Sequence, residues 1–250
     1  MLGLPHEDFA RSARRELTET EQRKVLRLLD ERIRTRKPLA YLIREAWLGE
    51  HRFYVDERVV VPRSFIAELL REKLRPWLTR PVKRALDLCT GSGCLAILVA
   101  LAFSRARVDA TDISRPALAV ARRNLLAYRL ARRVRLRHAD LYPGTETYNL
   151  IVANPPYVDD AAMRGLPPEY RREPRLGLAG GADGLDVVRR ILEGAAQRLN
   201  PGGLLVVEVG HNRRRVERAF PGLPFVWPEI SAGDDCVFLL FREDLYNSRQ

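Results

Sequence analysis

From residue 82 onward, short apolar runs alternate with amphipathic segments in which apolar residues recur every three or four positions. The runs predict buried strands, and the amphipathic segments predict helices. We expect strands at residues 82–88, 107–112, 134–139, 148–153, 204–209, 225–227 and 237–241, and helices at 94–103, 116–128, 185–199 and 213–220. Such alternation is typical of an α/β fold, with a doubly wound, mostly parallel sheet and helices on both faces. The last strand, after a short gap, is expected to be antiparallel.

The first 80 residues follow a different pattern. Residues 6–47 have helical periodicity, interrupted at Lys37-Pro38 because proline does not continue a helix. From His51 to Val61, apolar residues alternate on either side of a charged triplet, which predicts a hairpin with a charged turn. Ser64 is a candidate cap for a helix over residues 65–74. We therefore expect an amino-terminal helical domain over residues 1–50, a hairpin and linking helix over 51–80, and the sheet domain over 81–250.

Composition narrows the classes of function. The 250 residues suffice for one large domain and one small one. No apolar run reaches the roughly 18 residues of a membrane span, and no signal peptide is evident. The three cysteines form no C-x-x-C pair, so we expect a reducing cytosol and no metal site. The net charge of +11 favours contact with nucleic acid or an RNA-rich particle, but only four of the 43 basic residues are lysines, which a codon bias toward arginine explains equally well.

The tetrapeptide Asn154-Pro155-Pro156-Tyr157 follows the apolar run at 150–153. It therefore lies at the carboxyl end of a predicted strand, the edge at which open α/β sheets bind ligands. Its residue types suit a planar NH2 group: the Asn154 side-chain carbonyl can accept one N–H, and a backbone carbonyl in the stiff proline turn can accept the other. Two acceptors would concentrate electron density on that nitrogen and direct its lone pair toward an electrophile. The alternative is a Pro-Pro turn that only ends a strand.

Three predicted strands end in an aspartate. Asp87 begins the run DLCTGSG at residues 87–93, whose glycines let the backbone approach a ligand closely. The run is not a dinucleotide fingerprint, because Ala96 stands where the third glycine is required. A carboxylate here would repel a pyrophosphate but suits an ammonium group, which favours an amino-acid ligand such as S-adenosylmethionine. Asp112 can accept both ribose hydroxyls, and Asp140, followed by Leu141, can meet the adenine amine.

Residues 87–93, Asp112 and the tetrapeptide together resemble the class I S-adenosylmethionine-dependent methyltransferases, whose Rossmann-like sheet has seven mostly parallel strands. With Val61-Pro62-Arg63 and the run at 173–186, the motif order over roughly residues 38–242 is similar to that of the protein N5-glutamine methyltransferases. The resemblance implies methylation of a glutamine side-chain amide, with S-adenosylhomocysteine as product. The catalytic residues it implies are Asn154, Pro155, Pro156 and Tyr157. The cofactor-binding residues it implies are Asp87, Cys89, Thr90, Gly91, Ser92, Gly93, Asp112, Ile113, Asp140, Leu141 and Asn154.

Within that family, the residues after Val61-Pro62-Arg63 distinguish two branches. The sequence SFIAEL at 64–69 is similar to the branch that acts on the large-subunit ribosomal protein uL3, whereas the release-factor branch usually has Pro-Glu-Thr-Glu. The resemblance implies a cytoplasmic enzyme whose partner is that protein or the assembling ribosome, docked through the helical domain. Arg44 and Phe65 depart from the family pattern, which often has Gly and Pro there. A release-factor methyltransferase, a nucleic-acid amine methyltransferase and a non-catalytic ribosome-binding protein remain alternatives.

Overall fold

The computed structural model describes residues 15–247. Strands and helices alternate through most of this range. The helices are α1 (Glu19–Thr35), α2 (Leu39–Ile43), α3 (Ile66–Arg71), α4 (Cys94–Ala102), α5 (Arg115–Ala127), α6 (Asp160–Gly165), α7 (Asp186–Arg198), α8 (Arg213–Ala219) and α9 (Arg242–Asn247). The strands are β1 (Ala46–Leu48), β2 (His51–Phe53), β3 (Arg84–Leu88), β4 (Arg107–Asp112), β5 (Val134–His138), β6 (Tyr148–Ala153), β7 (Leu199–Glu208) and β8 (Val237–Phe241).

The main sheet has six strands in the order β5-β4-β3-β6-β7-β8. Its first five strands are parallel, and β8 pairs antiparallel with β7, as predicted. The chain winds from β3 toward β5 on one side and from β6 toward β8 on the other, so the order reverses between β3 and β6. Ligands bind open α/β sheets at the carboxyl ends of the strands beside such a reversal. The doubly wound, mostly parallel fold is thereby confirmed.

Two apolar clusters pack on opposite faces of the sheet, which is why most residues of its central strands, β3 and β6, are apolar and buried. On one face, α4 is buried along most of its length and contacts α3 and α5. On the other, α7 buries Val188, Ile191 and Leu192 against β6 and β7. Ser114 caps α5 as predicted, with its hydroxyl accepting from the Ala117 N–H at 3.2 Å. No helix within residues 15–247 is long and apolar enough to cross a membrane.

The predicted hairpin is displaced along the chain. The structure pairs Ala46 with Phe53 and Leu48 with His51 across a two-residue loop, in which Gly49 has a φ of +58° that glycine adopts readily. The predicted hairpin over 51–61 was wrong because Asp56 makes a local turn instead: its carboxylate accepts from the backbone N–H and the guanidinium of Arg58.

Two further element predictions were wrong, and two helices were not predicted. The sixth predicted strand, residues 225–227, makes only an isolated antiparallel bridge at Val226, because prolines flank it at 224 and 228 and remove backbone donors, so the main sheet has six strands and not the expected seven. Ser64 is not the N-cap of α3, since that position is occupied by Phe65. The helix α6, within the long connection after β6, and the carboxyl-terminal helix α9 were not predicted.

The amino-terminal helix α1 begins at a capping box formed by Thr18 and Glu21. It buries none of its side chains, and its apolar stripe, with Leu26, Leu29 and Ile33, is exposed. Part of the predicted helix, residues 6–14, lies outside the described residues. The division of the chain at residues 50 and 80 stays a prediction.

Candidate active site

A cavity of about 380 Å³ opens at the carboxyl ends of β3, β4, β5 and β6. Its wall is completed by residues 58–64, which precede α3, and by part of the long connection after β6. All the predicted catalytic and cofactor-binding residues line it except Gly93. Gly93 caps α4 with a φ of +80°, and a Cβ there would lie 3.1 Å from the Ala121 side chain. Its lack of a side chain therefore serves the packing of α4 on α5.

Asp87 forms the floor of the cavity and is fully buried. One carboxylate oxygen, Oδ2, accepts from the Thr90 hydroxyl at 2.5 Å and from the Ala96 N–H at 2.9 Å. The other oxygen, Oδ1, is buried and has no hydrogen-bond partner within the described part of the chain. Burial raises the pKa of Asp87 to about 7, and the two hydrogen bonds oppose this rise. A buried carboxylate oxygen without a donor is the environment that an ammonium group would complete.

The loop between β3 and α4 is shaped by residues in the left-handed region. Cys89 and Gly91 have φ values of 56° and 55°. The Gly91 N–H donates to Asp112 Oδ2 at 2.8 Å, and the Ser114 N–H donates to Asp112 Oδ1 at 2.8 Å. Asp112 thus connects the two loops at which the cofactor's ribose is expected. A carboxylate has about four lone-pair sites, so two remain for hydroxyl donors. Burial raises the pKa of Asp112.

The predicted adenine end of the cavity is more open. Ile113 is 49% exposed although it lines the cavity, so its side chain is available to an apolar ring. Leu141, which is buried, has a φ of 65° at the sharp turn after β5. The Asp140 carboxylate forms an ion pair with Arg190 of α7 at 2.8 Å. Asp140 was predicted to accept from an adenine amine, and it can still do so with the lone pairs that the ion pair leaves.

Asn154 lies at the centre of the cavity edge, directly after β6. Its Nδ2 donates to the backbone carbonyl of Arg63 at 3.1 Å. This contact engages the side-chain nitrogen, so the side-chain oxygen is the atom left to accept from a ligand. The sequence alone did not predict this contact, because the two residues are 91 positions apart.

Pro155, Pro156 and Tyr157 continue the wall. The turn is fixed at its end by Asn212, whose side-chain nitrogen donates to the Tyr157 carbonyl at 3.2 Å. Gly210 lies against the Tyr157 ring, where a Cβ would come within 2.7 Å of Cε2. Burial raises the pKa of Tyr157 to about 12. The phenol is therefore neutral near pH 7 and supplies an aromatic face and a hydroxyl donor.

Two glutamates that sequence reasoning missed hold residues 61–65 against the site. Glu173, in the long connection, forms an ion pair with Arg63 and accepts from the Val61 N–H at 2.9 Å. Glu208, the last residue of β7, accepts from the Ser64 hydroxyl at 2.5 Å and from the Phe65 N–H at 2.9 Å. The signal for Glu208 was present, since it is an acid at a strand end like the three aspartates. Nothing local in the sequence indicated its partners.

One polar cluster lies outside the cavity lining. His211 Nδ1 is 2.9 Å from Asp235 Oδ2 and 3.5 Å from Cys236 Sγ. Side-chain atoms of these three types are able to hold a metal ion. Cysteine spacing, on which the prediction of no metal site rested, does not detect such a set.

Comparisons of the sequence with known proteins match methyltransferases. The model of the "Methyltransferase small domain" family matches residues 65–165. A ribosomal protein uL3 glutamine methyltransferase of Neisseria gonorrhoeae is 53% identical over 247 residues, which cover 98% of this chain and 83% of the relative. The enzyme of the same name from Bordetella pertussis is 55% identical over 230 residues, covering 90% of this chain and 77% of the relative.

Solved structures that resemble this one share its fold. A methyltransferase from Pyrococcus furiosus superposes with a TM-score of 0.57 at 19% identity, covering 88% of this chain and 98% of that one. The Thermus thermophilus 16S rRNA methyltransferase RsmC, solved with AdoMet and guanosine, has a TM-score of 0.53 at 18% identity, covering 79% and 49%. At these identities the likeness supports the class I methyltransferase fold alone.

Proposed function

Because this chain belongs to the ribosomal protein uL3 glutamine methyltransferase family, we propose that its cavity transfers a methyl group from S-adenosylmethionine to a glutamine side-chain amide of uL3. The reaction joins the methyl carbon to the amide nitrogen, breaks the carbon–sulfur bond and leaves S-adenosylhomocysteine. Methylation of a ribosomal-protein glutamine is the activity of the family. For this chain, we propose in addition the roles of the individual residues, the cofactor and the identity of the partner.

The observation that carries the proposal is the orientation of Asn154. Its Nδ2 is engaged by the Arg63 carbonyl at 3.1 Å, so Oδ1 is the atom available to a substrate N–H. A glutamine amide has two N–H groups, and the Pro155 carbonyl, in the same rigid turn, is the acceptor that we assign to the second. The two acceptors would fix the plane of the amide and direct the nitrogen lone pair along the line of attack. Positioning of this kind contributes several kcal/mol to catalysis in enzymes.

The donor set at the cavity floor fits S-adenosylmethionine. The buried Asp87 Oδ1 without a partner suits the ammonium of the methionyl group. Asp112 suits the ribose hydroxyls, and Ile113 and Leu141 offer apolar contact to the adenine. When bound, this cofactor supplies an electrophilic methyl group on a positively charged sulfur.

Proton transfer before attack is unnecessary in this site. The Tyr157 phenol has a pKa of about 12, so it does not act as a base near neutral pH. The amide nitrogen attacks as the neutral group, and after the nitrogen–carbon bond has formed one of its protons passes to solvent water, which leaves the methylated amide neutral. The protein's contribution is therefore to align the nitrogen with the methyl carbon.

A labelling experiment with matched substrates tests the proposal. The enzyme, given methyl-labelled S-adenosylmethionine, would be incubated separately with purified uL3, with large ribosomal particles, with a release factor and with ribosomal RNA. We expect label in uL3, at the side-chain nitrogen of a glutamine when peptides are sequenced by mass spectrometry. Label in the release factor would assign the enzyme to the release-factor branch of the family, and label in RNA alone would contradict the proposal that the substrate is a protein.

A ribosomal-protein substrate also implies a cytoplasmic enzyme.

A further inference from the structure

Glu208 occupies an unusual position beside the substrate-binding turn. It ends β7, and the register pairs its neighbour Val207 with Ala153 of β6, directly before Asn154. On its other side, Glu208 pairs with Val237 of β8. Its side chain is buried, with 2% of the residue exposed. A carboxyl group so buried is unfavourable unless hydrogen bonds compensate, so its partners indicate what it holds.

Those partners belong to the cavity wall. The Ser64 hydroxyl at 2.5 Å and the Phe65 N–H at 2.9 Å both donate to the same oxygen, Oε2. The Asn154 side chain also stabilises the ionised carboxylate and lowers its pKa. The segment just before these two donors contains the Arg63 carbonyl, which accepts from Asn154 Nδ2. Glu208 and Asn154 therefore hold adjacent residues of one short segment from two neighbouring strand ends.

From this arrangement we infer that Glu208 is a positioning residue for methyl transfer, which acts by holding the Arg63 carbonyl where it orients the Asn154 amide. Without the carboxylate, the Ser64 hydroxyl and the Phe65 N–H lose their acceptor on β7, and the Arg63 carbonyl that fixes Asn154 is free to shift. The Asn154 side chain can then rotate and present its nitrogen to the substrate instead of its oxygen. The inference rests on the proposed function, because it assigns Glu208 a task in that same reaction.

The charge state of Glu208 adds a second readout. Burial raises its pKa to about 7, while its hydrogen bonds to Ser64, Phe65 and Asn154 oppose the rise. Tyr157 in the turn and Cys236 interact electrostatically with Glu208, and burial raises the pKa of each to about 12. Neither changes charge between pH 6 and 8. Within that window the ionised form of Glu208 accepts from its donors better than the protonated form does.

The test compares Glu208→Gln and Glu208→Ala with a matched control on α3. Glu68 also accepts from a serine hydroxyl and a backbone N–H, both of Ser231, but it does not line the cavity. Glu68→Gln therefore removes the same kind of charge without touching the site. We expect kcat at saturating cofactor to fall by about 100-fold in Glu208→Ala, with the Kd for S-adenosylmethionine unchanged. Glu68→Gln should leave both unchanged.

The near-isosteric variant separates positioning from folding. In Glu208→Gln, which keeps an acceptor, we expect a smaller loss of kcat and the disappearance of the wild-type decline in kcat below about pH 7. A double-mutant cycle with Ser64→Ala should be non-additive, because both changes remove one contact. The inference is overturned if wild-type enzyme methylates uL3 and the folded Glu208 variants match it in kcat and pH profile. Failure of wild-type enzyme to methylate any glutamine would instead overturn the proposed function.

Discussion

Replacing Asp87 with asparagine tests the cofactor site most directly. The Thr90 hydroxyl and the Ala96 N–H both donate to Oδ2, so an asparagine keeps its oxygen at that position. Its NH2 group then occupies the place of Oδ1, the buried oxygen without a partner. A cofactor ammonium would there meet two N–H donors instead of a carboxylate oxygen. The substitution therefore removes one charge-assisted contact while preserving the shape of the loop.

The expected loss follows from the chemistry of that contact. A hydrogen bond to a charged group contributes about 1.5–3 kcal/mol, which corresponds to a roughly 10- to 150-fold rise in the Kd for S-adenosylmethionine. Cofactor binding should also change the protonation of the Asp87 carboxyl group. Because burial raises the pKa of Asp87 to about 7, much of the free protein is protonated there at pH 6.5. An ammonium selects the carboxylate, so cofactor binding should release a proton and tighten as pH rises toward 7.

Isothermal titration calorimetry in buffers of different ionisation enthalpy measures both quantities. Wild-type protein should release more protons on binding at pH 6.5 than Asp87→Asn does, since only the aspartate titrates. Asp109→Asn is the control, because this buried aspartate pairs with Arg84 and Tyr148 and does not line the cavity. Equal affinity and equal proton release in wild type and Asp87→Asn would refute the assignment of Asp87 to an ammonium group.

The remaining predictions concern the ribose site, the amide-binding turn and the pH dependence of stability. Asp112→Ala should weaken cofactor binding by about 1.5–3 kcal/mol in the same titration; unchanged affinity would remove Asp112 from the ribose site. Asn154→Ala should lower the rate of single-turnover methylation and leave the affinity for the cofactor unchanged. Asn154→Asp should also lower turnover, but with cofactor affinity held or increased, since its carboxylate lies near the sulfonium. Near-normal methylation by Asn154→Ala would show that the turn has only a structural role. The free energy of unfolding should fall as pH rises through about 7, because Asp87 and Glu208 have folded-state pKa values near 7, above those of exposed carboxyls. Urea denaturation from pH 5 to 8.5 would show this fall reduced in Asp87→Asn and Glu208→Gln, and an identical pH dependence in all three proteins would contradict it.

The sheet was predictable because local pattern and tertiary environment agree there. β4, β6 and β8 have the predicted limits, and most of the residues in each are buried. The prediction from local pattern was wrong where a polar contact between neighbouring residues competes with strand pairing. Val55 and Val59 flank the charged triplet and are both buried, yet Asp56 folds the triplet onto Arg58 and the flanking residues do not form strands. An alternation of apolar and polar residues indicates which side chains are buried, and a loop with buried side chains can produce it as readily as a hairpin.

Only the part of the site that lies at the strand ends could be predicted from the sequence. The strand ends supply Asp87, Asp112, Asp140 and Asn154, and parallel topology alone brings such residues to one edge. Asn154 is oriented by the backbone of residues 61–65, which lie outside the sheet. Glu208 of β7 and Glu173 of the long connection hold that segment against the site. The Ser64–Glu208 hydrogen bond spans 144 residues and the Val61–Glu173 bond spans 112, so no local spacing encodes either. A turn of this composition is thus necessary for an amide-binding site, but the direction in which its asparagine presents an acceptor is decided by distant glutamates. The Glu208 variants therefore test whether the orientation of Asn154 matters for methyl transfer, and they do so without changing any residue of the turn.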